Sequence, residues 1–435
     1  MNYPIWQLDF AGGGLLIATI AILHVYVAHF AVGGGLFLVL TELKGLRERN
    51  QGILDYARKN TLFFLLVTMV FSSLTGVGIW FTISLLSPAA TSVLIHTFVF
   101  AWATEWTFFV IEIVSLLIYY YMWGKMSDRN HLIFGWIYFG AAWMSLFVIN
   151  GIIDFMLTPG AWVQNNNFWS GFFNPTFWPA LFFRTFLAVI IAGLFGFVTS
   201  SCIKDDELRT TMVRYCAKWL LVPFIFFLAA AWWYRAALPP HVEEVIFQRM
   251  PALRPFITIF AVSSALVLIG GLIMAIRMPS GVSKRLAAAM LIIGLFYIGG
   301  FEFIREGGRK PFVIQDYMYS TSILKKDIAT VAQQGVLQNA KWVEHREIED
   351  TNIAAAGREV FNLLCSSCHS VGGPLHDIKK FTARSSPGEM DLIVSTMGTQ
   401  RPYMPPFIGT EKEKKALYYF LFTTLHGIPV TAAAH

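Results

Sequence analysis

Apolar residues fill most of the first three quarters of this chain in long blocks, and polar clusters separate the blocks. Eight stretches stand out, at roughly 12–42, 61–86, 96–123, 131–158, 176–203, 219–237, 255–276 and 286–306. A helix that crosses hydrocarbon needs about 20 mostly apolar residues. Each stretch meets that need, and the first is long enough to tilt or project. The pattern predicts an all-α, polytopic membrane helix bundle of about eight spanning helices over residues 1–312. From about 313 the blocks stop. Residues 313–350 are polar and mixed in charge and are expected to form a partly helical linker outside the membrane. Residues 351–435 are expected to form a small all-α domain whose last residues, 431–435, are a loose end.

Composition agrees with a lipid environment. Hydrophobic residues make up 56% and charged residues 14%, against about 25% charged in soluble domains. The net charge of +6 is modest, and its distribution says more than its total. The connections 43–60, 124–130, 204–218 and 277–285 hold 5, 2, 4 and 3 Lys or Arg, whereas 87–95, 159–175 and 238–254 hold 0, 0 and 2. The positive-inside rule makes the first set cytoplasmic. An even number of helices then puts both chain ends outside. No basic block points to nucleic acid. The N-terminus lacks a basic region and a small-residue cleavage site, so its first apolar run reads as a retained helix.

There are four cysteines. Cys202 and Cys216 stand alone near predicted helix ends and read as buried or interfacial thiols. Cys365 and Cys368 belong to Cys365-Ser-Ser-Cys368-His369. Two thiols at that spacing can add to the two vinyl groups of haem, and the His that follows at once can ligate its iron. Gly357, Val360 and Phe361 precede the motif at helical spacing. Tyr403-Met404-Pro405-Pro406 lies downstream, and a thioether in a Pro-rich loop suits the second axial position. Met397 is the rival candidate. A closing helix offers Leu417, Tyr418, Phe420 and Leu421 for packing. His376 and His426 read as surface residues. This order resembles a class I cytochrome c domain. The resemblance implies one covalent haem c on Cys365 and Cys368, with His369 and Met404 on the iron. Such attachment occurs on the outer side of the membrane in bacteria, where the charge pattern places this end.

Ionisable groups inside spanning helices are costly and are functional candidates by default. They comprise His24, His29 and Glu42 on the first helix, Glu105 and Glu112 on the third, Asp154 on the fourth and Arg184 on the fifth. Arg235 ends the sixth, and Glu302, Arg305 and Glu306 end the eighth. His24, Gly33 and Glu42, spaced nine and eighteen apart, are similar to the first helix of subunit I of cytochrome bd oxidases. Glu112 and Trp123, eleven apart, fit the family's third helix. Glu105 lies seven before Glu112, where the family commonly has eight. Glu306-Gly-Gly-Arg309-Lys-Pro-Phe is similar to the family signature E-x-G-R-Q-P-W. The resemblance implies that His24 and Glu306 ligate membrane haem. His29 would ligate another haem or meet a propionate, Glu105 and Glu112 would ligate or carry protons, and with Glu42 they would form a proton path from inside. Arg184, Arg235, Arg305 and Arg309 suit haem propionates or snorkelling at the interface. His96 and His241 suit the interface or a partner.

The departures are as informative. Arg184 stands where the family's low-spin b haem takes a His, and the Met partner of that haem has no match. The long quinol-binding loop is reduced to about 238–254. The ninth helix is missing, and the haem c domain stands in its place. One covalent haem c and one to two non-covalent membrane haems, of b or d type, are therefore expected. Three functional readings follow. The first is a bd-like respiratory subunit passing electrons between an external c haem and membrane haems, and on to oxygen. The second is a quinol- or cytochrome-linked electron-transfer subunit without oxygen reduction. The third is a membrane anchor for a cytochrome c domain in a larger complex. Expected partners are a second membrane subunit, other respiratory-complex subunits, the lipid bilayer, and a periplasmic cytochrome or quinol. The expected location is the bacterial inner membrane, with both termini and the cytochrome c domain periplasmic.

Overall fold

The computed structural model describes residues 3–276 and 284–429. The loose end expected at 431–435 and most of the basic connection 277–285 lie outside the described residues. Among the described residues, eight helices are long and apolar enough to span a membrane. They are α1 Gly13–Arg47, α2 Gln51–Leu86, α3 Val99–Tyr121, α4 Asp128–Phe155, α5 Phe177–Ser200, α6 Asp206–Ala236, α7 Pro251–Ile276 and α8 Lys284–Gly308. Their outward faces carry Leu74, Val77, Ile225 and Trp232 in the open, as suits side chains that meet lipid. With the expected eight helices in place, the chain is an integral membrane protein.

Two helices begin well before their apolar runs. Asn50 caps α2 by accepting from the Ile53 amide at 3.2 Å, and Asp205 caps α6 by accepting from the Leu208 amide at 2.7 Å. Asp206 and Glu207 then sit in the first turn of α6, where negative charge suits the helix dipole. These polar turns extend the helices beyond the hydrocarbon, so hydropathy alone sets their starts too late.

Helix α5 forms the centre of the bundle and is the most buried of the eight. Its approach to α1 is backbone to backbone. A Cβ on Gly33 would lie 2.0 Å from the Ala188 carbonyl oxygen, so only glycine permits this crossing. In α2, residues 66–72 form a π-helical stretch, a local widening that is frequent at functional sites.

Beyond α8, Phe312–Ile314 (β1) pairs antiparallel with Met318–Tyr319 (β2). A second hydrophobic cluster follows, built on α9 Ile353–Leu364, α10 Pro387–Ser395 and α11 Glu411–Tyr418. Helices α9 and α11 cross so closely that a Cβ on Gly357 would come within 2.0 Å of the Ala416 carbonyl oxygen, and Phe361 and Phe420 pack with centroids 5.5 Å apart. The chain between 313 and 350 contributes to this core through Val331, Val336, Leu337 and Ala340. The buried carboxylate of Glu413 holds it there by accepting from the Val336 and Leu337 amides at 3.1 and 2.8 Å.

The N-terminal segment binds the C-terminal bundle to the membrane bundle. The Val371 amide donates to the Asp9 carbonyl at 2.7 Å, Arg358 pairs with the Asp9 carboxylate, and the Trp6 amide donates to the Leu85 carbonyl at 2.9 Å. The start of α1, the end of α2 and the 365–369 loop therefore share one end of the molecule.

Candidate functional site

Three polar assemblies lie along the molecule. The first is at the end remote from the C-terminal bundle. Glu42 lies ~44 Å along α1 from its first residue, at ~1.5 Å per residue. Its carboxylate accepts from Tyr119 Oη at 2.5 Å and faces His131 Nδ1 at 2.7 Å. His131 Nε2 lies 2.7 Å from the Tyr119 carbonyl oxygen. A carbonyl only accepts, so Nε2 carries a proton. The contact with Glu42 then needs one further proton, held by either the carboxyl or the imidazole. Glu42 and His131 thus share a proton whichever of them carries it. All three side chains are buried.

Two further polar pairs lie farther up between α3 and α4, although the Tyr138 hydroxyl itself donates to the Ala31 carbonyl on α1 at 3.2 Å. Tyr138 is within electrostatic range of Glu112, and Ser145 Oγ donates to Glu105 Oε1 at 3.0 Å. On α4 the residues His131, Tyr138 and Ser145 repeat every seven positions. On α3 Glu105, Glu112 and Tyr119 do the same. The helices run antiparallel, so the residues fall at three levels about 10 Å apart. His131, Tyr119, Tyr138 and Ser145 were not singled out from the sequence, although their seven-residue spacing opposite the two glutamates was there to be read.

The second assembly surrounds α1 and the upper ends of α4, α5 and α8. His24 Nδ1 lies 3.1 Å from the Ser72 carbonyl oxygen, which the last residue of the π-helical stretch presents, and 3.2 Å from Thr75 Oγ1. His29 is buried, and its Nδ1 donates to the Val25 carbonyl at 2.7 Å. Its Nε2 has no hydrogen-bond partner among the described residues. Arg184 and Glu302 are the charged groups nearest in effect to His29. Arg184 Nη1 donates to Glu302 Oε1 at 3.2 Å, and its Nη2 lies 3.9 Å from Asp154 Oδ1. Arg305 donates to Glu302 Oε2 at 2.9 Å, and Tyr234 Oη donates to Asp154 Oδ1 at 3.2 Å. Burying such ions is costly, and every unmatched donor adds to the cost. Yet Arg184 Nε and Nη2, Arg305 Nη1 and Arg309 Nε are buried with no hydrogen-bond partner among the described residues.

This donor set fits haem. A neutral imidazole with a lone pair on Nε2 suits iron, and guanidinium N–H groups suit propionates. His29, more than His24, sits beside the arginines. Glu306 lies farther up, paired with Arg309 and with Lys310 Nζ at 3.6 Å. Arg235 stands apart on the surface, paired with Glu243 at 2.8 Å.

The third assembly is the 365–369 loop. Its first residue follows α9, and the amides of Cys368 and His369 donate to the Cys365 carbonyl at 3.0 and 2.9 Å. Both cysteines are free thiols, and burial pushes the Cys365 thiol up to about 12. His369 Nδ1 donates to the His376 carbonyl at 2.8 Å. Burial holds the pKa of His369 below the usual value, which leaves a neutral ring with Nε2 available as a ligand. A cleft of about 380 Å³ lies between the two bundles, and Met397 and Met404 both line it, facing Lys310, Phe312 and Tyr319. Two thiols and a tautomer-fixed imidazole on one loop make a donor set that fits covalent haem, while Met397 and Met404 line a cleft that the loop itself does not line. His376 is exposed, and His426 Nε2 bonds to Thr382 Oγ1 at 2.8 Å. Cys216 is buried and Cys202 exposed.

These features define a polytopic membrane protein with imidazoles and carboxylates buried in its bundle. The sequence model of cytochrome bd terminal oxidase subunit I matches residues 15–234, half of the chain. The chain belongs to that family, whose members are haem-binding membrane subunits of multi-subunit respiratory oxidases, with haems of b or d type. The fold agrees. The bd oxidase structure from Geobacillus thermodenitrificans superposes with a TM-score of 0.60 at 14% identity, covering 70% of this chain and 89% of that one. No curated protein matches the chain. Glu302, Glu306 and the 365–369 loop lie outside the matched residues.

Proposed function

We propose that this chain is the electron-transfer subunit of a bd-like respiratory complex, with covalent haem c on Cys365 and Cys368 and non-covalent haem in the membrane bundle. Its electrons pass between the two sites and on to oxygen. The observation that carries this reading is the buried, unpaired Nε2 of His29 beside the unmatched donors of Arg184 and Arg305, at the same end of the bundle as the 365–369 loop. Bound haem supplies one-electron chemistry at both sites. The chain's own residues do the rest. His369 and Met404 ligate at the external site, and His24, His29 and Glu306 ligate in the membrane. Arg184 and Arg309 hold propionates, and the Arg184 network keeps bulk water from the buried ions. Glu42 and His131 hold a proton at the opposite end, and Glu112 and Glu105 carry protons onward. The charge pattern supports placing the C-terminal bundle in the periplasm, with a periplasmic cytochrome or a quinol as redox partner and a second membrane subunit alongside.

The deciding experiment is oxygen uptake by the intact complex, driven by a reduced soluble cytochrome or by a quinol. Uptake with the cytochrome supports this reading. Electron exchange with no uptake from either donor supports the second, a subunit without oxygen chemistry. One observation favours that second reading. Arg184 is bound into an ion network at the position where a low-spin haem would need His, and only a short connection, residues 237–250, joins α6 to α7.

A further inference from the structure

Beside the N-terminal segment, the chain just after α8 also lies where the membrane bundle meets the C-terminal bundle, and Lys310 stands in it. It follows α8 by two positions, and its side chain is only 18% exposed. On one side its Nζ lies 3.6 Å from Glu306 Oε1. On the other it is within electrostatic range of the Cys368 sulfur. Ser320 Oγ lies 3.9 Å from that same sulfur. With Phe312 and Tyr319, Lys310 also forms the wall of the cleft opposite Met404. A group tethered at Cys368 therefore presents its attached edge to residues 310–320 and not to open water.

We propose that residues 310–320 are the electron-transfer face between the external haem site and the membrane bundle, with Lys310 as its positioning residue. The proposal rests on the covalent-haem reading. Its basis is a run of alternating charge along the end of α8. Lys310 and Arg309 pair with Glu306, Arg305 pairs with Glu302, and Glu302 pairs with Arg184. Lys310 ends that run within electrostatic range of Cys368, whose sulfur lies 3.9 Å from Ser320 Oγ. The pairing of Lys310 with Glu306, which Arg309 shares, draws it toward the membrane bundle. A sheltered positive charge also favours the reduced, less positive form of an iron centre next to it. No bond forms or breaks in the exchange. One electron crosses, and iron on one side is oxidised as iron on the other is reduced.

The test is redox titration of the c-type absorption band in the full complex. Lys310→Gln should shift the reduction equilibrium toward the oxidised form by roughly three- to tenfold, where tenfold is 59 mV for one electron. Lys310→Arg should restore it to within about twofold. An intact c band with an unchanged equilibrium in Lys310→Gln would overturn the proposal. A wild-type protein without a covalent band would instead overturn the haem c reading beneath it. Should the variant fail to accumulate, a photo-crosslinking residue at position 320 of the otherwise native chain replaces it. Capture of the peptide containing Cys368 is expected, and capture only within the membrane bundle would overturn the proposal.

Discussion

His29 donates its Nδ1 proton to the Val25 carbonyl at 2.7 Å, one turn back on its own helix. That bond fixes the tautomer and leaves the lone pair on Nε2, which is buried with no hydrogen-bond partner among the described residues. An imidazole oriented by its own backbone is a pre-set metal ligand. His29→Ala should therefore remove one non-covalent haem per chain, read as a lower b-to-c ratio in a pyridine haemochrome assay, while the covalent haem stays. His24→Ala should diminish the high-spin signal separately, because the Ser72 carbonyl on α2 orients His24 independently. Retention of all non-covalent haem in the double variant would remove both residues from the ligand set.

The 365–369 loop makes a second prediction. Cys365 and Cys368 lie on one tight turn closed by amide donation to the Cys365 carbonyl, so both sulfurs can reach one porphyrin. Haem absorption should survive acid-acetone extraction of the wild-type chain. It should be lost from the polypeptide in Cys365→Ser/Cys368→Ser. Met404→Ala should keep the attachment but lower the potential, since Met/His ligation raises it.

The shared proton of Glu42 and His131 yields the third. Gln can neither hold nor pass on that proton. Glu42→Gln should slow donor-driven turnover by on the order of 10²-fold, the usual scale for removing a proton-transfer group. Haem content should be unchanged. Glu112→Gln should behave alike if the three levels form one path. Glu42→Asp keeps a carboxyl and should recover part of the rate. Normal turnover in Glu42→Gln would exclude this route.

What could be read from the sequence divides along physical lines. Lipid selects long apolar runs, so all eight helices were legible from hydropathy. The buried face of α9 was partly legible, because Gly357, Val360 and Phe361 fall at helical spacing, but its crossing with α11 was not. The ion network was not. Arg184 could be placed near a helix end, but its pairing with Glu302 and Asp154 depends on how three helices rotate about their axes. Residues 313–350 looked like a linker because they are polar and their helices are too short to show a period. Their anchor is Glu413, about eighty residues later, and a contact that distant leaves no local signal. His131 is the first residue of the apolar stretch 131–158, so hydropathy alone leaves it at a helix end. The helix begins earlier, at Asp128, with Ser127 as its cap, and this places His131 inside.

The crossing of α9 and α11 gives the last prediction. A Cβ on Gly357 would lie 2.0 Å from the Ala416 carbonyl oxygen and 3.1 Å from Phe420 Cβ. Backbone cannot yield as a flexible side chain can, so the helices must separate. Overpacking of this kind costs about 1–3 kcal/mol, and sometimes more. Small bundles have little stability in reserve. Gly357→Ala should therefore lose protease resistance across 351–428 and, with it, covalent haem, while the membrane helices remain protected. Gly388 in α10 serves as the control. A Cβ there meets nothing within 4 Å, and Ala is the better helix former, so Gly388→Ala should leave both readouts at wild-type level. Equal protease resistance in the two variants would mean that the α9–α11 crossing does not hold this bundle together.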